Sequence, residues 1–513
     1  MSQPAREQWG TRAGFLLAAI GSAIGLGNIW RFPAVAYDNG GGAFFLPYVF
    51  ALLTAGIPLL ALEYAIGHRF RGSAPLAFRR LHARAEWLGW WQIAISLVIA
   101  SYYAVIVAWA GSYTVFAATE AWADDPEDFF FGSYLQQTAE AGALGGLVPA
   151  VVVPLVAVWA VVLIVLLRGV RRGIELANRI MIPTLVITFL VLVVRAVSLP
   201  GAAGGLDAFF RPDFAGLFDP AVWVAAYGQI FFSLSIAFAI MITYASYLPR
   251  RTDLTGSGMI AGFANASFEL LAGIGVFAAL GFMAATQGIA VDEVVADGIG
   301  LAFVVFPEIL STFPALQGLF GVLFFGSLLL AGLSSLISIV QTVVAAVGDK
   351  LGWPQRRAVL VTGLPLAAAS LLYATRGGVA YLDVVDYFIN GFGIAAAGLV
   401  EVVLIAWVLR TLDRLRRHAD GVSDMRLGWW WTIALGVVTP VMLGYQLLEN
   451  LRTAVLAGYG DYPVAFQAGA GWVVAAAVLV AGLALARQGW RADVLQLEDF
   501  TVEADRRFLK DAS

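Results

Sequence analysis

Stretches of about twenty predominantly apolar residues recur along the whole chain, separated by short polar connections. Twenty helical residues rise about 30 Å, the thickness of the hydrocarbon core of a bilayer. Lipid offers no partner to a backbone N–H or C=O, so only helices and closed barrels cross it. The runs are continuous and do not alternate in ten-residue segments, which selects helices. The expected fold class is an all-α membrane protein. With 60% hydrophobic and 13% charged residues over 513 positions, the chain is too apolar for a water-soluble domain, where about a quarter of residues carry charge. A net charge of −4 argues against a nucleic-acid partner. The absence of cysteine excludes disulfides, thiolate metal sites and iron–sulfur clusters. The charged "MSQPAREQWGTR" leads into a long apolar helix without a small-residue cleavage site, so no removable signal peptide is expected.

Twelve transmembrane helices are expected, near 11–38, 41–68, 88–116, 147–168, 173–197, 220–248, 256–286, 318–348, 355–375, 380–411, 428–451 and 464–486. Arginines and a lysine crowd the connections after the even-numbered spans, as at Arg79, Arg80, Arg171, Arg250, Lys350 and Arg414. The positive-inside rule makes those faces cytoplasmic, with both termini inside the plasma membrane of a prokaryote. Opposite loops such as Glu120 to Gly142 hold no Lys or Arg. Between spans 7 and 8, residues 291–314 are apolar but broken by Pro307 and Pro314, and read as an external re-entrant or lid-like segment. One transmembrane domain fills 1–513, with a polar tail over 487–513.

Polar groups at the midplane are expensive, about 2.5–3.5 kcal/mol for a charge. Yet span 1 carries Gly21, Gly25, Gly27 and Asn28 at its centre, within "GSAIGLGNIWRFP". Glycine lowers helix propensity by about 1 kcal/mol relative to alanine. A helix-packing motif would explain Gly21 and Gly25 alone. Span 6 repeats the anomaly with Ser233 and Ser235, span 7 with Asn265 and Glu269, span 8 with Ser334, Ser335 and Ser338, and span 3 with Tyr102 and Tyr103. Each serine could bond back to its own helix, but a bland bundle would scatter such groups in depth. Facing one another, they would form an oxygen cage for a hard monovalent cation, and broken helix ends would offer N–H groups to an anion. Interruptions at corresponding positions of two five-helix halves point to an inverted-repeat transporter, with repeats near 11–198 and 220–412 and two further helices over 428–486.

These residues resemble the neurotransmitter:sodium symporter family, of LeuT fold, in its bacterial amino-acid-transporting branch. "REQWGTRAGFLLAAIGSAIGLGNIWRFP", "NGGGAFFLPY", "GIPLLALEYAIG", "GQIFFSLSIAFAIMITYASY" and "AGLSSLISIVQ" recur in the order of that family. The resemblance implies a 5+5 inverted repeat with unwound helices 1 and 6, and two sodium sites. The first would use the Ala23 carbonyl, Asn28, Ser233, Asn265 and the carboxylate of the substrate. The second would use the carbonyls of Gly21, Ile24 and Ala331 with the hydroxyls of Ser334 and Ser335. The substrate carboxylate would meet the N–H groups of Leu26 and Gly27 and the Tyr103 hydroxyl. Its amine would meet carbonyls of span 6 near Ser235. Gly25 stands where monoamine transporters carry aspartate, which implies an amino-acid substrate. Ile99, Phe232, Phe238, Ser335 and Ile339 would line the side-chain pocket. Alanines at 237 and 239 replace glycines common in relatives, and their added methyl groups imply a small neutral amino acid.

The same resemblance makes Arg31 and Asp386 an external gate over a lid of Tyr103 and Phe238. Arg6, Trp9, Ser246, Tyr247 and Asp349 match the inner gate. Gly173 and Pro183 match a segment of span 5 that unwinds to admit water to the second sodium. Glu269 stands where chloride-dependent relatives have serine, which implies chloride-independent transport, with or without proton antiport. Glu63 matches an acid that holds the unwound backbone of span 6. The implied function is a sodium-coupled amino-acid symporter working by alternating access. A transport-inactive sensor of the same fold, or a transporter of a larger hydrophobic amino acid, is the alternative. An enzyme is not expected: His68, His82 and His418 lie in or near loops, and neither HExxH nor GxSxG occurs.

Overall fold

The computed structural model describes residues 6–122, 125–138, 140–295, 298–490 and 492–495. These residues are helical almost throughout, and isolated bridges such as Gly41 to Pro212 are their only β pairing. Ten helices are long and apolar enough to cross a membrane, and a further crossing is the bent pair Arg12–Ala23 and Gly27–Asp38, angled by 56°. The remaining expected span, 220–248, is split into Pro220–Ser233 and Ile240–Ala245, each too short to cross alone. In the apolar 18-residue stretch of spans 3, 7 and 8, within Glu86–Ala117, Leu254–Gln287 and Gln317–Leu351, 83%, 72% and 72% of residues are buried, against 22% in that of the last span, Val464–Ala486. The polar-centred helices therefore form the middle of the bundle and the last span faces lipid.

The break in span 1 has a local cause. Ile24 leaves the helix at φ −72°, ψ 93°, and the Gly25 N–H finds its acceptor in Asn28 Oδ1 at 2.9 Å. Asparagine competes with the backbone in this way more readily than it sustains a helix. Span 6 breaks over residues 234–239, where Ser235, Ala237 and Ala239 adopt left-handed φ values of 53°, 62° and 64°. Such a conformation costs a non-glycine residue about 1–2 kcal/mol, so the surroundings must impose it. Ala237 N–H donates to Glu63 Oε1 at 2.7 Å, the Ser235 hydroxyl to Ser22 O at 3.0 Å, and the Ser96 hydroxyl to Phe238 O at 2.8 Å.

These conformations predict an inverted response to glycine. At Ala239, relief of the left-handed strain offsets the loss of one buried methyl, worth about 0.8 kcal/mol. Ala239→Gly should therefore leave thermal stability within about 0.5 kcal/mol of the parent. Ala245→Gly, in a helix and equally buried, should cost about 1.5–2 kcal/mol. Thermal unfolding of the two purified variants checks the order.

Residues 298–311 form short helices that do not cross the membrane, and Phe303 packs against Tyr113 and Phe130 with ring centroids 5.0 and 5.1 Å away. The unwinding expected between Gly173 and Pro183 is absent from this structure. Pro183 sits inside the continuous helix Leu176–Val197, preceded by a wide turn at Val170–Glu175. Most of the tail expected over 487–513 lies outside the described residues.

Candidate functional site

The two breaks meet. Asn28 on span 1 donates from Nδ2 to Asn265 Oδ1 on span 7 at 2.8 Å, and Asn265 Nδ2 donates to Ser233 Oγ on span 6 at 3.0 Å. All three side chains are at most 2% exposed. Beside this chain Glu269 accepts from Gln229 Nε2 at 2.6 Å and from the Tyr48 hydroxyl. A second group lies where span 8 crosses span 1. Ser334 Oγ donates to Gly21 O at 2.7 Å and to Ala331 O at 2.8 Å, and Ser335 Oγ reaches Gly21 O and Ser22 O at 3.3 and 3.2 Å. Both groups consist of neutral carbonyl, amide and hydroxyl oxygens, the donor set that suits a hard cation. Rotating a serine hydroxyl hydrogen outward turns these bonded oxygens into ligands without moving a helix.

Ala23, Gly25, Leu26, Gly27, Ile99, Tyr103, Phe232, Ser233, Ser235, Phe238, Ser335 and Ile339 all line one cavity of about 810 Å³. Gly21, Ile24, Asn265, Ala331 and Ser334 do not line it and sit behind its wall. Leu26 N–H donates to the Tyr103 hydroxyl at 3.4 Å, and Gly27 opens the second half of span 1 with its N–H outside the helical ladder. A Cβ on Gly25 would stand 3.2 Å from Tyr103 Oη and 3.3 Å from Ser335 Oγ, and one on Gly27 2.3 Å from the Phe232 ring. Ala237 and Ala239 are not in the lining, and the Ala237 methyl faces Gly398 of span 10. Their methyl groups therefore do not narrow this cavity, contrary to the expectation from sequence.

The cavity extends past Arg31 and Asp386 to Asn39, Gly300, Asn450 and Tyr459, in or beside the loops of the face opposite the termini. Asp386 accepts from the Tyr102 hydroxyl at 2.5 Å and from Asn390 Nδ2 at 2.8 Å, and the Arg31 guanidinium lies 4.7 Å over the Phe232 ring. Tyr102 thus contacts Asp386 and Phe232 contacts Arg31, the two residues expected as an external gate, while Tyr103 and Phe238, expected as the lid below them, line the cavity. Toward the terminal face the cavity is closed. Arg6 donates to both carboxylate oxygens of Asp349 at 3.0 and 3.1 Å and to the Ser246 hydroxyl at 3.0 Å. Trp9 donates to Tyr244 O and Tyr247 O, and Ser73 N–H donates to Asp349 Oδ2. Burial alone would lower the Arg6 guanidinium pKa, but the Asp349 carboxylate and the Tyr247 hydroxyl together more than offset it and leave the value raised.

A helical bundle with two broken spans, an oxygen-lined centre and one closed end is a transporter architecture. The profile of the sodium:neurotransmitter symporter family matches residues 6–127 and 123–488. The chain belongs to this family. An uncharacterized sodium-dependent transporter of Methanocaldococcus jannaschii is 42% identical over 466 residues, covering 91% of this chain and 94% of that protein. The sodium-dependent dopamine transporter of Bos taurus is 29% identical, covering 92% and 73%. Among solved structures, that of MhsT in complex with L-phenylalanine superposes with a TM-score of 0.73 at 29% identity, covering 87% of this chain and all of that one. The sodium:neurotransmitter symporters are sodium-dependent, multi-pass transporters and not enzymes, and sodium is their coupled ion. Within this symporter chain, sequence reading missed Ser22, whose carbonyl receives Ser235 and Ser335 and which lines the cavity, and Gln229 and Tyr48, the donors to Glu269. Gln229 was findable, since it precedes Ser233 by four residues and shares its helix face.

Proposed function

We propose that this symporter imports a neutral amino acid together with two sodium ions, independently of chloride, and that the structure is its outward-facing state. The observation that carries the reading is the meeting of the breaks in spans 1 and 6 around neutral oxygens, at the foot of a cavity open opposite the termini. Inverted halves near 11–198 and 220–412 account for the paired breaks. The face bearing Arg6 and Asp349 would be cytoplasmic, in keeping with its arginines. Gly25 supplies no carboxylate, so the substrate must bring its own, to be met by Leu26 and Gly27 N–H groups, Tyr103 and the first sodium. Arg31 and Asp386 would close over it, and opening of the Arg6–Asp349 side would follow. Two sodium ions moving inward through 100 mV supply about 4.6 kcal/mol before any concentration gradient.

Substrate size follows from the lining. Ile99, Phe238, Ser335 and Ile339 bound an apolar pocket, while the methyl groups of Ala237 and Ala239 lie outside it. A larger hydrophobic amino acid is therefore favoured alongside small ones such as alanine, in line with the phenylalanine held by MhsT. Uptake of labelled amino acids into proteoliposomes is the test. Replacing sodium by potassium should lower uptake at least about tenfold, a difference of about 1.4 kcal/mol or more, and replacing chloride by gluconate should leave it within about twofold. Glu269→Ser should make uptake chloride-dependent, because the fixed carboxylate that stands in for the anion is gone. Binding of substrate without accumulation would instead identify a sensor.

A further inference from the structure

A buried carboxyl group outside the ion and substrate site has incomplete hydrogen bonding of one particular kind. Glu401 lies in the apolar run "GLVEVVLIAW" of span 10 and is fully buried. Its Oε2 accepts from Gln92 Nε2 of span 3 at 2.7 Å. Its other oxygen, Oε1, is buried without a hydrogen-bond partner, and so is Gln92 Oε1. Each is an acceptor when the acid is ionised, so neither can satisfy the other. Glu63 of span 2 is also fully buried: Oε1 accepts from Ala237 N–H, and Oε2 has no partner. Ala237 packs against Gly398, one turn before Glu401, so the two acids flank the break in span 6. Tyr64, whose hydroxyl is buried without a partner, follows Glu63 on the same span. Among the described residues neither acid enters an ion pair.

We propose that Glu401 binds a proton on Oε1 and donates it to Gln92 Oε1, closing a two-bond ring between a carboxylic acid and a carboxamide. A buried acceptor without a donor costs about 1–3 kcal/mol, and here two such atoms belong to the pair of groups already joined by a 2.7 Å bond. One proton satisfies both atoms at once. It also removes a charge from an acid in the middle of the bundle that has no cation partner, beside a second acid, Glu63. Turning Gln92 over would only exchange the roles of the two Glu401 oxygens, so in either orientation the pair is one proton short of two bonds. The proton site ties span 3 to span 10 behind the break of span 6. It is separate from Glu269, both of whose oxygens are already hydrogen-bonded.

The two forms of Glu401 make opposite predictions for a glutamine placed there. The substituted side chain donates from its own amide to Gln92 Oε1 and accepts from Gln92 Nε2, reproducing the ring of the protonated acid. Glu401→Gln in the full-length protein should therefore keep sodium-dependent amino-acid uptake within about twofold of the parent. Glu401→Ala, which leaves both Gln92 groups unbonded, should lower it at least about tenfold. Infrared spectra of the purified protein in detergent should show the carbonyl band of a protonated carboxyl group that persists in Glu269→Gln and is lost in Glu401→Gln. This band does not depend on transport. It remains informative even if the proposed substrate or ion stoichiometry is wrong. Equal loss of uptake in Glu401→Gln and Glu401→Ala would overturn the proposal, as would retention of the band in Glu401→Gln, which would assign the proton to another acid such as Glu63.

Discussion

Asn28→Leu should lower sodium-dependent amino-acid binding at least about a hundredfold, with little change in the amount of folded protein in the membrane. Asn28 does two jobs that leucine cannot. Its Oδ1 takes the Gly25 N–H at 2.9 Å, and its Nδ2 gives to Asn265 Oδ1 at 2.8 Å. Leucine leaves both partners unbonded, the fully buried Asn265 and the part-buried Gly25 at the cavity wall. Each orphan costs about 1–3 kcal/mol, so the break shifts toward other conformations by about 2–6 kcal/mol, and about 2.7 kcal/mol is a hundredfold in affinity. The loss would fall on the bound state because the same side chain also offers an oxygen to the cation. Scintillation-proximity binding of a labelled amino acid to the purified variant reads it. Affinity within about threefold of the parent would mean that the amide neither shapes the break nor meets the ion.

Arg6→Ala should open the terminal face. The guanidinium makes three charge-assisted or polar bonds there, two to Asp349 and one to Ser246, with the ion pair about one-fifth exposed. Charge-assisted bonds in part-buried settings contribute about 1.5–3 kcal/mol each. Losing them shifts the balance between outward- and inward-facing states by several kcal/mol, and about 2.7 kcal/mol already changes the ratio a hundredfold. Because the chain has no cysteine, one introduced cysteine is a clean reporter. Ser338 is suitable: it is fully buried beneath Tyr244, whose hydroxyl it receives at 2.7 Å. Ser338→Cys should react with a permeant maleimide at least about ten times faster when combined with Arg6→Ala. An unchanged rate would mean that the Arg6 cluster is not what keeps this side shut.

The spans were legible because their signal is length and apolarity, which lipid enforces residue by residue. The oxygen cluster was legible too, since Asn28, Ser233, Asn265 and Ser334 are conspicuous at the centres of apolar runs. Three features were hidden, each for a physical reason. Alanine is an ordinary helix former, so nothing in "SIAFAI" announces left-handed backbone at Ala237 and Ala239; only Glu63, Ser96 and Ser22, remote in sequence, impose it. The direction of a methyl group follows from that backbone, so the placement of Ala237 against Gly398 could not be anticipated and the size argument failed with it. The partners of Asp386 and the course of span 5 depend on how distant spans pack. In a state with the terminal face closed, Asp386 is held by Tyr102 and Asn390, and span 5 runs unbroken through Pro183. The acid Glu401 stood out in its apolar run, but its partner Gln92 lies 309 positions away, and pairing across that distance is a property of the fold.

Binding of labelled sodium to the purified protein, measured with and without a saturating neutral amino acid, tests most directly whether the two breaks hold a cation beside the substrate. Saturable sodium binding that tightens when the amino acid is added, matched by an equal tightening of amino-acid binding by sodium but not by potassium, is the expected result, since coupling between adjacent sites is reciprocal. Amino-acid binding of the same strength in sodium and in potassium would contradict it.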